Sequence, residues 1–227
     1  MPGRMTGRPW QMACLSATLV VLSVVSAGAE QVTGSIETRV RQGATRAVPV
    51  VYAERADVAT PARPGTFTIT QKGKSFAPRV LAVPVGSSVG FPNEDPIFHN
   101  VFSMSTPQPF DLGLYRAGAT KARTFSEPAA YYVFCNIHPQ MVAFLVVAPS
   151  AWVTTAAPDG SWRLDVPPGR YRITALSERA APVSVDVTVG STSAVAPPLI
   201  LDESGAVTTP HLNKFGKAYP KSAYVDR

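Results

Sequence analysis

Short runs in which apolar and polar residues alternate are spread along the chain and predict β-strands. Clear examples lie at residues 32–38, 67–71, 161–166 and 171–176. Alternation of this kind is typical of a strand with one buried face and one face in water. Turn formers are abundant, with 22 Pro and 16 Gly, and they separate the runs. We therefore predict an all-β protein with many turns.

The first 29 residues have the pattern of a secretory signal peptide. Arg4 and Arg8 precede an apolar stretch at 12–25, and the small residues 27–29 follow it. The stretch is shorter than the roughly 20 residues that a bilayer-spanning helix needs. We predict export to the periplasm or the medium and no stable membrane insertion after cleavage. An uncleaved anchor is the alternative.

Soft and borderline metal ligands are concentrated after the strand predicted at 131–134. Cys135, His138 and Met141 follow at even spacing, and His99 lies upstream in another predicted strand. Two His and one Cys with a weak axial Met form the ligand set of a blue-copper electron-transfer site. We expect Asn100, beside His99, to tie the two loops together and to hold the thiolate.

Other chemistry fits these residues less well. Zinc prefers more Cys or His and has no use for Met. A Cys-His hydrolase dyad needs an orienting group, and the sequence offers none that is recognisable. The two cysteines are Cys14, inside the predicted signal, and Cys135, so the exported chain has no internal disulfide. A lone thiol in an exported protein indicates a reactive group or a ligand.

The candidate ligands and the segments around them resemble the cupredoxin family, and within it the plastocyanin and amicyanin group. The resemblance runs from about residue 67 to 147 and includes the segments 76–78, 91–95, 99–103 and 135–141. It implies a Greek-key β-sandwich at 66–148 with one type 1 copper at one end. By the same resemblance, the ligands are His99, Cys135, His138 and Met141, and His138 lies at an exposed edge within an apolar patch.

Residues 151–202 resemble a second fold, the transthyretin-like sandwich of carboxypeptidase regulatory domains. The resemblance rests on residues 159–162 and on the Pro-Pro-Gly turn at 167–169. A segment of about 50 residues is too small to bury a good core alone. We expect the strands within 30–58 to complete this sandwich, with the cupredoxin inserted between them. Residues 203–227 form a polar tail in which His211 is expected to be exposed.

Composition narrows the function further. The net charge of +6 comes without a run of Lys or Arg, so binding to nucleic acid is not expected. The sequence predicts an exported blue-copper protein, not an enzyme, that carries single electrons between redox proteins. A copper oxidase or reductase needs more than the three His present. A copper-binding, glycan-binding or envelope-binding β module without electron transfer is the other alternative.

Overall fold

The computed structural model describes residues 29–207 and 210–219. All regular elements in these ranges are β-strands, which confirms the all-β prediction. No helix in the described ranges is long and apolar enough to cross a membrane. The predicted signal peptide at 1–29 lies outside the described residues except for its last position, so it stays a prediction.

Eighteen strands follow one another in the described part of the chain. The first two are β1, Glu30–Arg39, and β2, Val50–Arg55. The next ten are β3, Thr66–Thr68; β4, Thr70–Gln71; β5, Phe76–Ala77; β6, Val80–Pro84; β7, Ser88–Pro92; β8, His99–Ser103; β9, Phe110–Tyr115; β10, Thr120–Thr124; β11, Ala129–Phe134; and β12, Val142–Ala148. The last six are β13, Val153–Thr155; β14, Ser161–Val166; β15, Gly169–Ser177; β16, Ala180–Val189; β17, Ala194–Val195; and β18, Leu199–Asp202.

Residues 66–148 form a sandwich of two sheets. One sheet has the order β10-β7-β3 and the other has the order β6-β12-β11-β8-β9, with β4 and β5 as a separate hairpin. Alternate residues of these strands fill one core, which includes Phe91, Val101, Tyr131 and Leu145. This is the two-sheet arrangement that the cupredoxin resemblance implies, and it brings the ends of β8 and β11 together.

Strand β12 is buried on both faces. Leu145 packs in the first core, whereas its neighbours Phe144 and Val146 lie on the opposite face. There they join a small buried cluster with Val50 of β2 and Leu176 of β15. A strand covered on both sides needs a continuous apolar run instead of an alternating one. The run at 142–148 therefore joins the first sandwich to the rest of the protein.

The N-terminal strands β1 and β2 pair with strands of residues 151–202. Strand β1 lies between β14 and the pair β17 and β18, and the second sheet has the order β13-β2-β15-β16. Val32 of β1 faces Leu164 of β14, and Ala53 of β2 faces Ile173 of β15. These side chains share a second core with Trp162. A division of the chain into two domains, with the first sandwich inserted in the second, is our interpretation of this pairing.

Candidate metal centre

The topology of one sheet brings the predicted ligands together. Strands β11 and β12 are antiparallel neighbours, with Phe134 opposite Val142, so residues 135–141 form the turn between them. We call this turn the ligand loop. Strand β8 pairs with β11 on its other side and begins at His99. The loop thus carries Cys135 and His138 to the sheet end where His99 lies, although 36 residues separate His99 from Cys135.

Three donor atoms converge on one point inside the protein. The Sγ atom of Cys135 lies 3.8 Å from Nδ1 of His99 and 3.7 Å from Nδ1 of His138, and the two nitrogens are 3.1 Å apart. The point equidistant from the three atoms is about 2.1 Å from each, which is close to the metal–nitrogen and metal–sulfur distances of zinc sites. The three side chains are buried. Their spacing fits a first-row transition metal.

A carboxylate fixes the orientation of His99. Asp95 Oδ2 accepts a hydrogen bond from His99 Nε2 at 2.7 Å, which leaves Nδ1 free of that proton and facing Cys135. The Asp95 carboxylate also accepts the backbone N–H groups of Gly73 and Lys74, at 2.6 and 2.8 Å. Burial acts to raise the pKa of Asp95, but these hydrogen bonds outweigh it and lower that pKa. A metal-bound His commonly has such a partner, which sets its tautomer. This role of Asp95 was not predicted from the sequence.

The environment of Cys135 favours the thiolate, the form that binds metals. Burial alone would raise the pKa of the thiol. The contact with His99 and the hydrogen bonds from the backbone N–H groups of Asn100, Ile137 and His138 outweigh burial and lower the pKa. The Ile137 N–H lies 3.5 Å from Sγ.

Asn100 acts differently from the prediction. Its side-chain amide donates to Asp111 Oδ1 at 2.7 Å, so it ties β8 to β9. The predicted side-chain link from Asn100 to the ligand loop is therefore wrong, and the backbone of Asn100 is what reaches the thiol. The reason is register, because Asn100 lies opposite Leu114 on β9 with Asp111 nearby.

Met141 is buried at the end of the ligand loop. Its side chain is fully shielded and belongs to the same core cluster as Cys135. The Met141 N–H donates to the carbonyl of His138 at 3.0 Å, and the Met141 carbonyl accepts from the Cys135 N–H at 3.3 Å. These two bonds close the ligand loop on itself.

Two predictions about exposure are wrong. His138 is only 8 % exposed, so it does not form an open edge of the site. His211, expected to be exposed, is half-buried and stacks on the ring of Phe134 with a centroid distance of 4.0 Å. His211 lies outside the donor cluster, but its Nε2 is 2.6 Å from the carbonyl oxygen of Pro139 in the ligand loop. The tail around His211 therefore docks on the site.

Solved structures similar to part of the chain include a Cu-containing nitrite reductase from Thermus scotoductus SA-01, a purple cupredoxin from Nitrosopumilus maritimus and a variant of amicyanin in the Cu(I) form. The nitrite reductase matches 41 % of this chain at 30 % identity with a TM-score of 0.35. The purple cupredoxin matches 36 % of this chain at 25 % identity with a TM-score of 0.33. The amicyanin variant matches 41 % of this chain at 23 % identity with a TM-score of 0.34. In the same order, the matches cover 25 %, 98 % and 89 % of the other chains, so this chain spans a quarter of the length of the nitrite reductase. No family profile and no curated protein matches the chain. With TM-scores this low, the assignment of the site rests on its own geometry.

Proposed function

We propose that this protein holds one type 1 copper ion and carries single electrons between redox proteins. The observation that supports the proposal is the convergence of one thiolate sulfur and two imidazole nitrogens on a single buried point. We assign His99, Cys135 and His138 as the three strong ligands and the neighbouring Met141 as the weak axial ligand. Copper bound there would supply one-electron redox chemistry.

The protein groups around the donors suit an electron carrier because they are held in place before any metal arrives. His99 is fixed by Asp95, and the ligand loop is anchored at both ends by the paired strands β11 and β12. Side chains that cannot move far impose nearly the same geometry on both oxidation states, so little rearrangement accompanies electron transfer. Burial of the cluster keeps bulk water away from the thiolate.

The count of histidines favours a carrier over an enzyme. The chain has three His, and two of them belong to the donor cluster. The third, His211, is bonded to the carbonyl of Pro139. Within residues 29–207 and 210–219, the donor cluster is the one group of three or more His, Cys, Asp or Glu side chains close enough to share a metal.

Redox proteins are the proposed partners, and an exposed apolar surface beside the site is available to them. Ile97 and Phe98 directly precede His99 and are 37 % and 55 % exposed. Small, partly apolar contacts suit the brief encounters of electron-transfer proteins. We propose that these encounters take place outside the cytoplasm, in the periplasm or the medium, in keeping with the predicted signal peptide.

Visible absorption tests the proposal. Purified protein is titrated with Cu(II), and we expect one equivalent to produce an intense thiolate-to-copper band that bleaches on addition of a reductant. Cys135→Ala should lose the band. Ser150→Ala serves as the matched control, because Ser150 is also small and fully buried but lies outside the cluster, and it should keep the band.

Two results would contradict the proposal. One is the absence of the band in the wild-type protein under conditions where Cu(II) binds. The other is a tight, stoichiometric preference for Zn²⁺ over copper. Either result would favour a cupredoxin-shaped binding module without an electron-transfer role.

A further inference from the structure

The C-terminal segment, residues 210–219, contacts the ligand loop at three points. His211 Nε2 lies 2.6 Å from the Pro139 carbonyl oxygen. The Lys214 backbone N–H donates to Asn136 Oδ1 at 3.0 Å, and the Tyr219 hydroxyl donates to the Cys135 carbonyl at 2.8 Å. A carbonyl oxygen only accepts, so His211 Nε2 carries the proton in the first of these bonds.

The C-terminal segment provides hydrogen-bond partners for two acceptors of the ligand loop. The bonds from Met141 to His138 and from Cys135 to Met141 close the ends of the loop. The side-chain oxygen of Asn136 and the carbonyl of Pro139, which lie between those ends, have the C-terminal segment as their partner. A loop that is held partly by contacts with a terminal segment opens more readily when those contacts are removed.

The C-terminal segment is itself anchored on both sides of the site. The ring of His211 stacks on Phe134 with an interplanar angle of 19°. The Lys214 ammonium lies 2.7 Å from Asp111 Oδ2, and Asp111 also accepts the side-chain amide of Asn100, the neighbour of His99. The segment thus connects β11, the strand that precedes Cys135, to β9, the neighbour of the strand that begins at His99.

We propose that the C-terminal segment is a clamp that keeps the ligand loop closed and thereby limits both access to the Cys135 thiol and exchange of the bound metal. His211 and Tyr219 are positioning residues in this clamp, because they act on the ligands through the loop backbone. Only the part that concerns metal exchange rests on the proposed copper function. Control of thiol access holds for the metal-free protein as well.

The first test measures the thiol in metal-free, full-length protein. Cys135 is allowed to react with an aromatic disulfide reagent at fixed pH, and the rate is followed by absorbance. His211→Ala combined with Tyr219→Phe should raise the rate about tenfold or more, since two hydrogen bonds and a stacked ring no longer hold the loop. Lys217→Ala is the control, because Lys217 lies exposed in the same segment, and its rate should equal that of the wild type.

A second test uses copper-loaded protein and measures loss of the visible band to an excess of chelator. The double variant should lose copper about tenfold faster than the wild type or Lys217→Ala. Tyr219→Phe alone keeps the ring and removes only the hydroxyl, so it provides a milder variant in case the double variant unfolds. It should show a smaller change in the same direction.

The outcomes separate the clamp from the copper assignment. Thiol rates within twofold of the wild type in the folded double variant would overturn the clamp, whichever metal the site binds. A faster thiol reaction in a protein that never shows the copper band would retain the clamp and remove the proposed function. Thermal unfolding of each variant confirms that the fold is retained, and neither residue belongs to a buried core cluster.

Discussion

Asp95 and His99 are joined by a hydrogen bond of 2.7 Å between a carboxylate oxygen and Nε2, four residues apart and inside the protein. The carboxylate is held in turn by two backbone N–H groups of the hairpin that connects β4 and β5. Lys74, which supplies one of them, has a φ of 53°, so the hairpin adopts an unusual backbone conformation where it meets Asp95. The hairpin, the carboxylate and the imidazole form one chain of contacts that ends at His99 Nδ1, the atom that faces Cys135.

Asp95→Asn should weaken metal binding. The amide preserves the size of the side chain but removes the charge and the clear preference for one His99 tautomer. Loss of such a partner typically costs 10–100-fold in affinity, and we expect a loss in that range for copper in a chelator competition assay. Glu94→Gln is the matched control, since it removes the adjacent carboxylate, whose contact is an exposed ion pair with Lys72. Equal affinities for the two variants would show that Asp95 does not support the site.

Gly160→Ala should destabilise the pairing between strands β1 and β14. A Cβ at this position would lie 2.3 Å from the carbonyl oxygen of Ile36, and Gly160 has a φ of +86°. Crowding against backbone and a strained φ each cost about 1–3 kcal/mol, so we expect the free energy of unfolding to fall by roughly 2–6 kcal/mol. Urea denaturation measures the change.

Gly190→Ala is the control for that experiment, because no atom lies within 4 Å of the added Cβ. Its unfolding free energy should stay within about 0.5 kcal/mol of the wild type. If Gly160→Ala were equally neutral, then the close contact between Ile36 and Gly160 would not exist in solution.

The sequence predicts the ligand loop well because its geometry is local. Cys135 and His138 lie within a single turn between two apolar strands, so their spacing alone limits where they can point. The sequence also contains a signal for Asp95, namely a carboxylate four residues before a candidate ligand His. A rule that asks which group holds the second nitrogen of each ligand His would have identified it.

Other features have no local signal. His211 and Tyr219 reach the ligand loop across 72 and 84 residues, and their position depends on how the two sandwiches pack through Phe144 and Leu176. Strand β10 was not predicted because it lies at a sheet edge and alternates between exposed and half-buried positions without a clear apolar face. Two-residue strands such as β5 are too short to show any alternation.

Met141→Leu tests the proposed axial ligand. Leu has nearly the same volume, so the metal-free protein should lose less than about 1.5 kcal/mol of stability despite the full burial of this position. The thioether is a soft ligand that favours Cu(I). We therefore expect affinity for Cu(I) to fall more than affinity for Cu(II). In parallel chelator titrations, the Kd for Cu(I) divided by the Kd for Cu(II) should rise. An unchanged ratio would exclude Met141 as a ligand.

The ion pair between Asp111 and Lys214 should make the docking of the C-terminal segment depend on pH. Burial acts to raise the pKa of Asp111, but the contacts with Lys214, Asn100 and the Gly113 N–H outweigh it and lower the pKa. A carboxyl whose pKa is lower in the folded state stabilises the fold above its ordinary pKa of about 3.9 and loses that contribution as pH falls through the folded-state value.

A double-mutant cycle isolates this contribution. Unfolding free energies of the wild type, Asp111→Asn, Lys214→Ala and the double variant are measured at pH 6 and again well below pH 3. We expect a favourable coupling between the two residues at pH 6, and we expect it to disappear at the acidic pH, where Asp111 is protonated. Both side chains are partly exposed, so added salt should reduce the coupling at pH 6. A coupling that is the same at both pH values would show that charge does not hold the segment to β9.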